Sequence, residues 1–97
     1  MKPVRFLSAA ETEMAATACY YQAQCSNLGH RFLKQVQDAV HAIAAHPLAV
    51  ASLRGDVRRR LVNRFPFAVL YCVTAEEILI VAVMDLRRDP EYWVNRL

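Results

Sequence analysis

A chain of 97 residues that is 56% hydrophobic and 22% charged reads as one globular domain over residues 1–97, which excludes a disordered protein. Its longest apolar runs, FAVLYCV (67–73) and ILIVAVM (78–84), have seven residues each, against roughly 20 for a membrane-spanning helix. The net charge is +3, and MKPVRFLSAAETEM meets acidic residues too early for a signal peptide, so a cytoplasmic protein without a membrane role is expected.

The segment PVRFL (3–7) can form a short strand with Val4 and Phe6 facing one way. SAAE (8–11) then opens a helix, with Ser8 as N-cap and Glu11 three residues on forming a capping box. Ala10, Met14, Ala18 and Tyr21 recur at helical spacing and make its buried stripe. The helix should end near Gln24, since CSNLG (25–29) supplies cap and turn residues. A second helix is expected from about Leu28 to His46, with Phe32, Val36, Val40 and Ile43 as its apolar stripe, supported by Leu33 and Ala44. Pro47 disfavours helical geometry at His46 and stops it. So short a break predicts an antiparallel helical hairpin.

PLAVASLRGD (47–56) reads as an irregular bridge, after which the period changes to two. VRRRLVNR (57–64) places Val57, Arg59, Leu61 and Asn63 on one strand face and Arg58, Arg60, Val62 and Arg64 on the other. Phe65-Pro66 makes a turn. FAVLYCVT is the next strand, and ILIVAVM, apolar on both sides, is a central or covered one. Phe67 and Tyr71 share a face that the helices can cover. Asp89 as N-cap with Pro90 at the first helical position predicts a last short helix. The sum is an α+β fold of order β-α-α-β-β-β, an antiparallel sheet with the helical hairpin on one face.

Cys19, Cys25 and Cys72 are odd in number and lack CxxC spacing, and His30, His41 and His46 share no i, i+4 pair. Neither set supports a metal site, and no cofactor is expected. Ten of the twelve basic residues are arginine, and residues 54 to 64 hold five of them against one aspartate. Arginine forks suit phosphate and carboxylate partners; a solvated strand face is the rival explanation.

In this order the segments resemble the RelE/ParE superfamily of toxins from bacterial type II toxin–antitoxin modules. The resemblance is carried by LGHRFLKQV, RRRLVNRFPFAVLYCV and VAVMDLRRDPEYW and covers nearly the whole chain. One departure is Asp85, where many relatives have His. The resemblance implies a small toxin held inactive by a cognate antitoxin that wraps it in a hetero-oligomer. Two activities occur in the superfamily: RelE-like members cleave mRNA in the ribosomal A site, and ParE-like members inhibit DNA gyrase without nuclease activity.

Metal-independent RNA cleavage needs a base for the 2′-hydroxyl, an acid for the leaving oxygen and cations for the phosphorane. Where RelE-like toxins carry an arginine after the aromatic that opens the strand, this chain has Ala68. The residues left for an RNase set are Arg59, Asp85, Arg87 and Tyr92, and arginine stays protonated, a poor base. Asp85 can instead pair with a neighbouring arginine or cap a turn. The ParE-like, binding activity is therefore the expectation; a ribosome-dependent nuclease, a bare nucleic-acid-binding module and a decayed toxin are the alternatives. For target or antitoxin binding, Arg87 and one of Tyr92 and Trp93 should face a partner while Arg88 or Asp89 holds the turn. Arg58, Arg60 and Arg64 should extend the same basic surface.

Overall fold

The computed structural model describes residues 1–97. A short strand β1 (Val4–Phe6) leads into helices α1 (Ser8–Gln24) and α2 (Leu28–Ala45), followed by strands β2 (Ser52–Arg54), β3 (Val57–Leu61), β4 (Phe67–Val73) and β5 (Ile78–Asp85). The sheet has five strands in the order β1-β5-β4-β3-β2. Strands β2 to β5 are antiparallel, but β1 pairs with β5 in parallel, with Val4 opposite Ile78 and Phe6 opposite Ile80. The helical hairpin forces this: two helices between β1 and the rest return the chain to the far edge of the sheet before it can zigzag back.

The expected helices are present and their apolar stripes face the sheet. Phe32, Val36 and Ile43 of α2 and Ala10 of α1 are fully buried against Phe67, Val69, Tyr71, Ile78 and Ile80. Burying each large side chain is worth about 2 kcal/mol. Tyr21, Phe32, Phe65 and Phe67 form an edge-to-face cluster with centroids 5.0 to 6.3 Å apart. The Tyr71 hydroxyl donates to the Pro47 carbonyl at 2.7 Å, which satisfies its polar end inside the core. The hairpin closes tightly because position 29 is glycine: a Cβ there would run into the Ala18 carbonyl and the Gln22 side chain.

Four details depart from expectation. Ser8 is not the N-cap of α1. Leu7 takes that place without a side-chain bond, because its N–H donates to Ile80 O at 2.9 Å and its carbonyl accepts from Glu11 N at 3.1 Å. Strand pairing thus runs straight into the helix. Within the bridge, Ser52–Arg54 forms the extra strand β2, joined to β3 by a turn with Gly55 at φ 56°. The outermost position explains why all three residues of β2 are exposed and show no alternation. Beyond Asp89 there is no α-helix; i to i+3 hydrogen bonds (Tyr92 to Asp89, Val94 to Glu91, Arg96 to Trp93) end in a 3-10 turn over Val94–Arg96.

The fourth departure concerns Trp93, expected as one of two candidates for a partner-facing anchor. It is 2% exposed and packs with Val57, Ala68, Leu70, Val81, Ala82 and Met84 on the sheet face turned away from the helices. That apolar face has no helix above it, so the C-terminal turn supplies the cover. The Trp93 indole N–H donates to the Pro90 carbonyl at 2.7 Å, leaving no polar group unpaired.

Candidate functional site

Strand β5 surfaces at Asp85, which lies opposite Phe67 at the start of β4. The Asp85 carboxylate faces the helical side, where α1 passes overhead. Between them runs a groove made of two adjoining clefts of about 320 and 310 Å³. Ala16, Thr17, Phe67 and Asp85 line both; Tyr20, Tyr21 and Arg87 complete one, and Thr12, Glu13, Val83 and Arg88 the other. Small residues on this face of α1 keep the groove open. The β3–β4 turn anchors its floor, with Leu86 N donating to Pro66 O at 2.9 Å.

Asp85 and Arg87 form a closed unit. The Arg87 backbone N–H and Nε both donate to Asp85 Oδ1 at 2.9 Å, and a terminal guanidinium nitrogen donates to Oδ2 at 2.8 Å. These bonds hold the Asp85 carboxyl below its ordinary pKa, and the pair raises that of Arg87. A carboxylate so stabilised in its charged form is a poor proton acceptor. The Arg87 side chain is still 71% exposed, so its remaining donors point to solvent. Arg88 is 54% exposed; its guanidinium lies 3.8 Å over the Tyr92 ring and 3.7 Å from Glu13 Oε2.

Glu13 ties the far end of the groove. It accepts both Arg96 guanidinium nitrogens at 2.8 and 2.9 Å, the Tyr92 hydroxyl at 2.5 Å, and the Val83 N–H at 3.1 Å. Arg96 also donates to the Val81 carbonyl at 3.1 Å. Burial first, then the bond to Glu13, pushes the Tyr92 phenol well above its ordinary pKa. Sequence reasoning did not single out Glu13 or Tyr20, or give Arg96 a role. A signal for Glu13 existed: it sits three residues after Ala10 and four before Thr17, beside the buried stripe of α1, where a carboxylate requires partners.

Of the residues considered for RNA cleavage, only Asp85 and Arg87 come together. Arg59 pairs with Leu70 on the face of β3 turned away from Asp85, and the Tyr92 hydroxyl is held by Glu13. Ala68 is fully buried on that opposite face too, opposite Met84. No three His, Cys, Asp or Glu side chains converge into a metal-binding group.

The basic surface divides. Arg87 and Arg88 stay together at the groove, with Tyr92 half-buried behind them rather than offered as a free anchor. Arg58 donates to the Val50 carbonyl towards the other end of β3, and Arg60 borders a cleft beside Asp38 of α2. Arg64, in the β3–β4 turn at φ 69°, lines a separate concavity against α2. Alternation put three arginines on one strand face, but α2 lies over that face and partitions them.

A family model described as "ParE toxin of type II toxin-antitoxin system, parDE" matches residues 4–90. No curated protein matches the chain significantly. Among solved structures, a chain of a chromosomal ParDE toxin–antitoxin system from P. aeruginosa superposes with a TM-score of 0.66 at 22% identity, over 90% of this chain and 98% of that one. That likeness concerns the fold. The family match spans nearly all of the strands and helices just described, and by it the chain belongs to the ParE toxin family of type II toxin–antitoxin systems.

Proposed function

We propose that this toxin acts by binding, that its target is DNA gyrase, and that a cognate antitoxin protein neutralises it in a hetero-oligomer. The observation that carries the non-catalytic reading is the Asp85–Arg87 pair. The carboxylate best placed to serve as a base is held ionised by three hydrogen bonds from its neighbour, and the groove's other carboxylate, Glu13, is taken up by Arg96, Tyr92 and the Val83 N–H. What the groove offers instead is two exposed guanidinium groups, Arg87 and Arg88, beside the exposed Tyr20. Arginine next to an aromatic is the composition of a protein-binding hot spot. A reading as an RNA-binding sheet is less well supported, because Phe67 and Tyr71 are covered by the helices and present no stacking face.

The test is a supercoiling assay with purified gyrase. The wild-type chain should inhibit supercoiling or trap cleaved DNA, and Arg87→Ala/Arg88→Ala should abolish the effect. Cleavage of ribosome-bound mRNA with gyrase untouched would assign the chain to the nuclease activity instead.

A further inference from the structure

Six of the ten arginines have a partner within the chain. Arg5 bonds Glu77, Arg54 bonds Glu91, Arg87 bonds Asp85, Arg88 and Arg96 meet Glu13, and Arg58 reaches the Val50 carbonyl. Of the other four, Arg31 and Arg64 line the same concavity. It measures about 260 Å³ and is bounded by Leu28, Arg31, Lys34 and Gln35 of α2 and by Arg64 and Phe65 of the β3–β4 turn. Its third cation, Lys34, is paired with Asp38 at 3.0 Å, one turn along the helix and outside the lining. No carboxylate lines it. A concave surface with one sign of charge concentrates its field on whatever enters.

The backbone adds to this. Arg64 adopts the left-handed conformation (φ 69°), which is strained for a residue with a Cβ. A glycine would relieve that strain, yet the position carries a long cationic side chain.

We propose that this concavity is a docking site for an acidic segment of a partner protein, one that presents an apolar side chain flanked by carboxylates. Leu28 and the half-buried Phe65 receive the apolar group while Arg31, Arg64 and Lys34 take the carboxylates. Phe65 also argues for a peptide over a nucleic acid. Its ring is engaged by Tyr21 at 5.0 Å and Phe32 at 5.2 Å, so it is poorly placed to stack a base. The site shares no lining residue with the Asp85–Arg87 groove, and it stands whether or not gyrase is the target.

The test uses the purified full chain and three fluorescein-labelled probes: a Glu-Glu-Leu-Glu-Glu-Leu peptide, the same peptide with Gln for Glu, and a single-stranded oligonucleotide matching the acidic peptide in net charge. Binding is followed by anisotropy, and contact by chemical-shift changes at the Leu28 and Phe65 amides. The acidic peptide should bind and shift both amides, and the Gln peptide should bind at least tenfold more weakly. Arg31→Glu/Arg64→Glu should lose at least tenfold for the acidic peptide, and the charge-matched Lys2→Glu/Arg59→Glu less than twofold. Circular dichroism establishes that both variants are folded; if the first is not, Arg31→Gln/Arg64→Gln takes its place with the same expected loss. No binding of the acidic peptide, equal binding by the pocket variant, or tighter binding of the oligonucleotide through the same residues each overturns the proposal.

Discussion

At the scale of single residues, the groove is set by two carboxylates that are used differently. Asp85 is shallow and serves Arg87; Glu13 is deeper and serves a whole segment. Because the folded-state pKa of Asp85 is depressed, its contribution to stability is present above the unfolded value of about 4 and is lost as pH falls through the folded one. A carboxyl titration by NMR should therefore place the Asp85 midpoint below the ordinary aspartate range, and Arg87→Ala should move it upward. Glu13→Ala leaves the largely buried Arg96 guanidinium and the Val83 N–H without their partner. Removing one side of such a pair costs about 3 kcal/mol, which a urea unfolding midpoint will register; Glu13→Gln, which keeps an acceptor, should lose less. Arg87→Ala/Arg88→Ala touches exposed groups only and should cost about 1 kcal/mol or less. Unfolding of that variant would make the arginines structural instead of functional.

At the scale of elements, periodicity was informative where one face meets the core. Both helices and the strands β3 to β5 could be read from the spacing of apolar residues, because each has a buried stripe or is buried on both sides. β2 could not be read that way: it sits at the sheet edge with every side chain exposed, so no burial imprints a pattern on it. Its one local signal is Gly55-Asp56, a dipeptide suited to a two-residue hairpin turn. The Ser8 capping box failed for a non-local reason, since pairing of Leu7 with β5 fixes where α1 begins. The groove was half legible. Asp85, Arg87 and Arg88 stood out as charges after an apolar run, whereas Glu13 reaches the same place only through the fold. The α1–α2 contact makes its own prediction: Gly29→Ala forces the helices apart at Ala18 and Gln22. A loss of about 1–3 kcal/mol is expected, read as a lower thermal midpoint.

At the scale of the molecule, the sheet is covered unequally. Two long helices shield one face, while the other relies on the last few residues, with Trp93 at their centre. The family match ends at residue 90, so Trp93 and Arg96 fall outside it. No disulfide strengthens this arrangement: Cys19 and Cys25 are exposed, Cys72 is buried, and all three are free thiols. Stability rests on non-covalent contacts, and the thermal midpoint should be the same with and without dithiothreitol. A drop on reduction would reveal a covalent link between protein copies.

The brevity of β1 has a further consequence. It stops at Phe6, opposite Ile80, whereas β5 runs on to Asp85. Past that point the outward backbone groups of Val83 and Val81 are taken by the Glu13 carboxylate and the Arg96 guanidinium. Side chains thus imitate a missing strand and block the lateral addition of a second copy, the route by which open sheets polymerise.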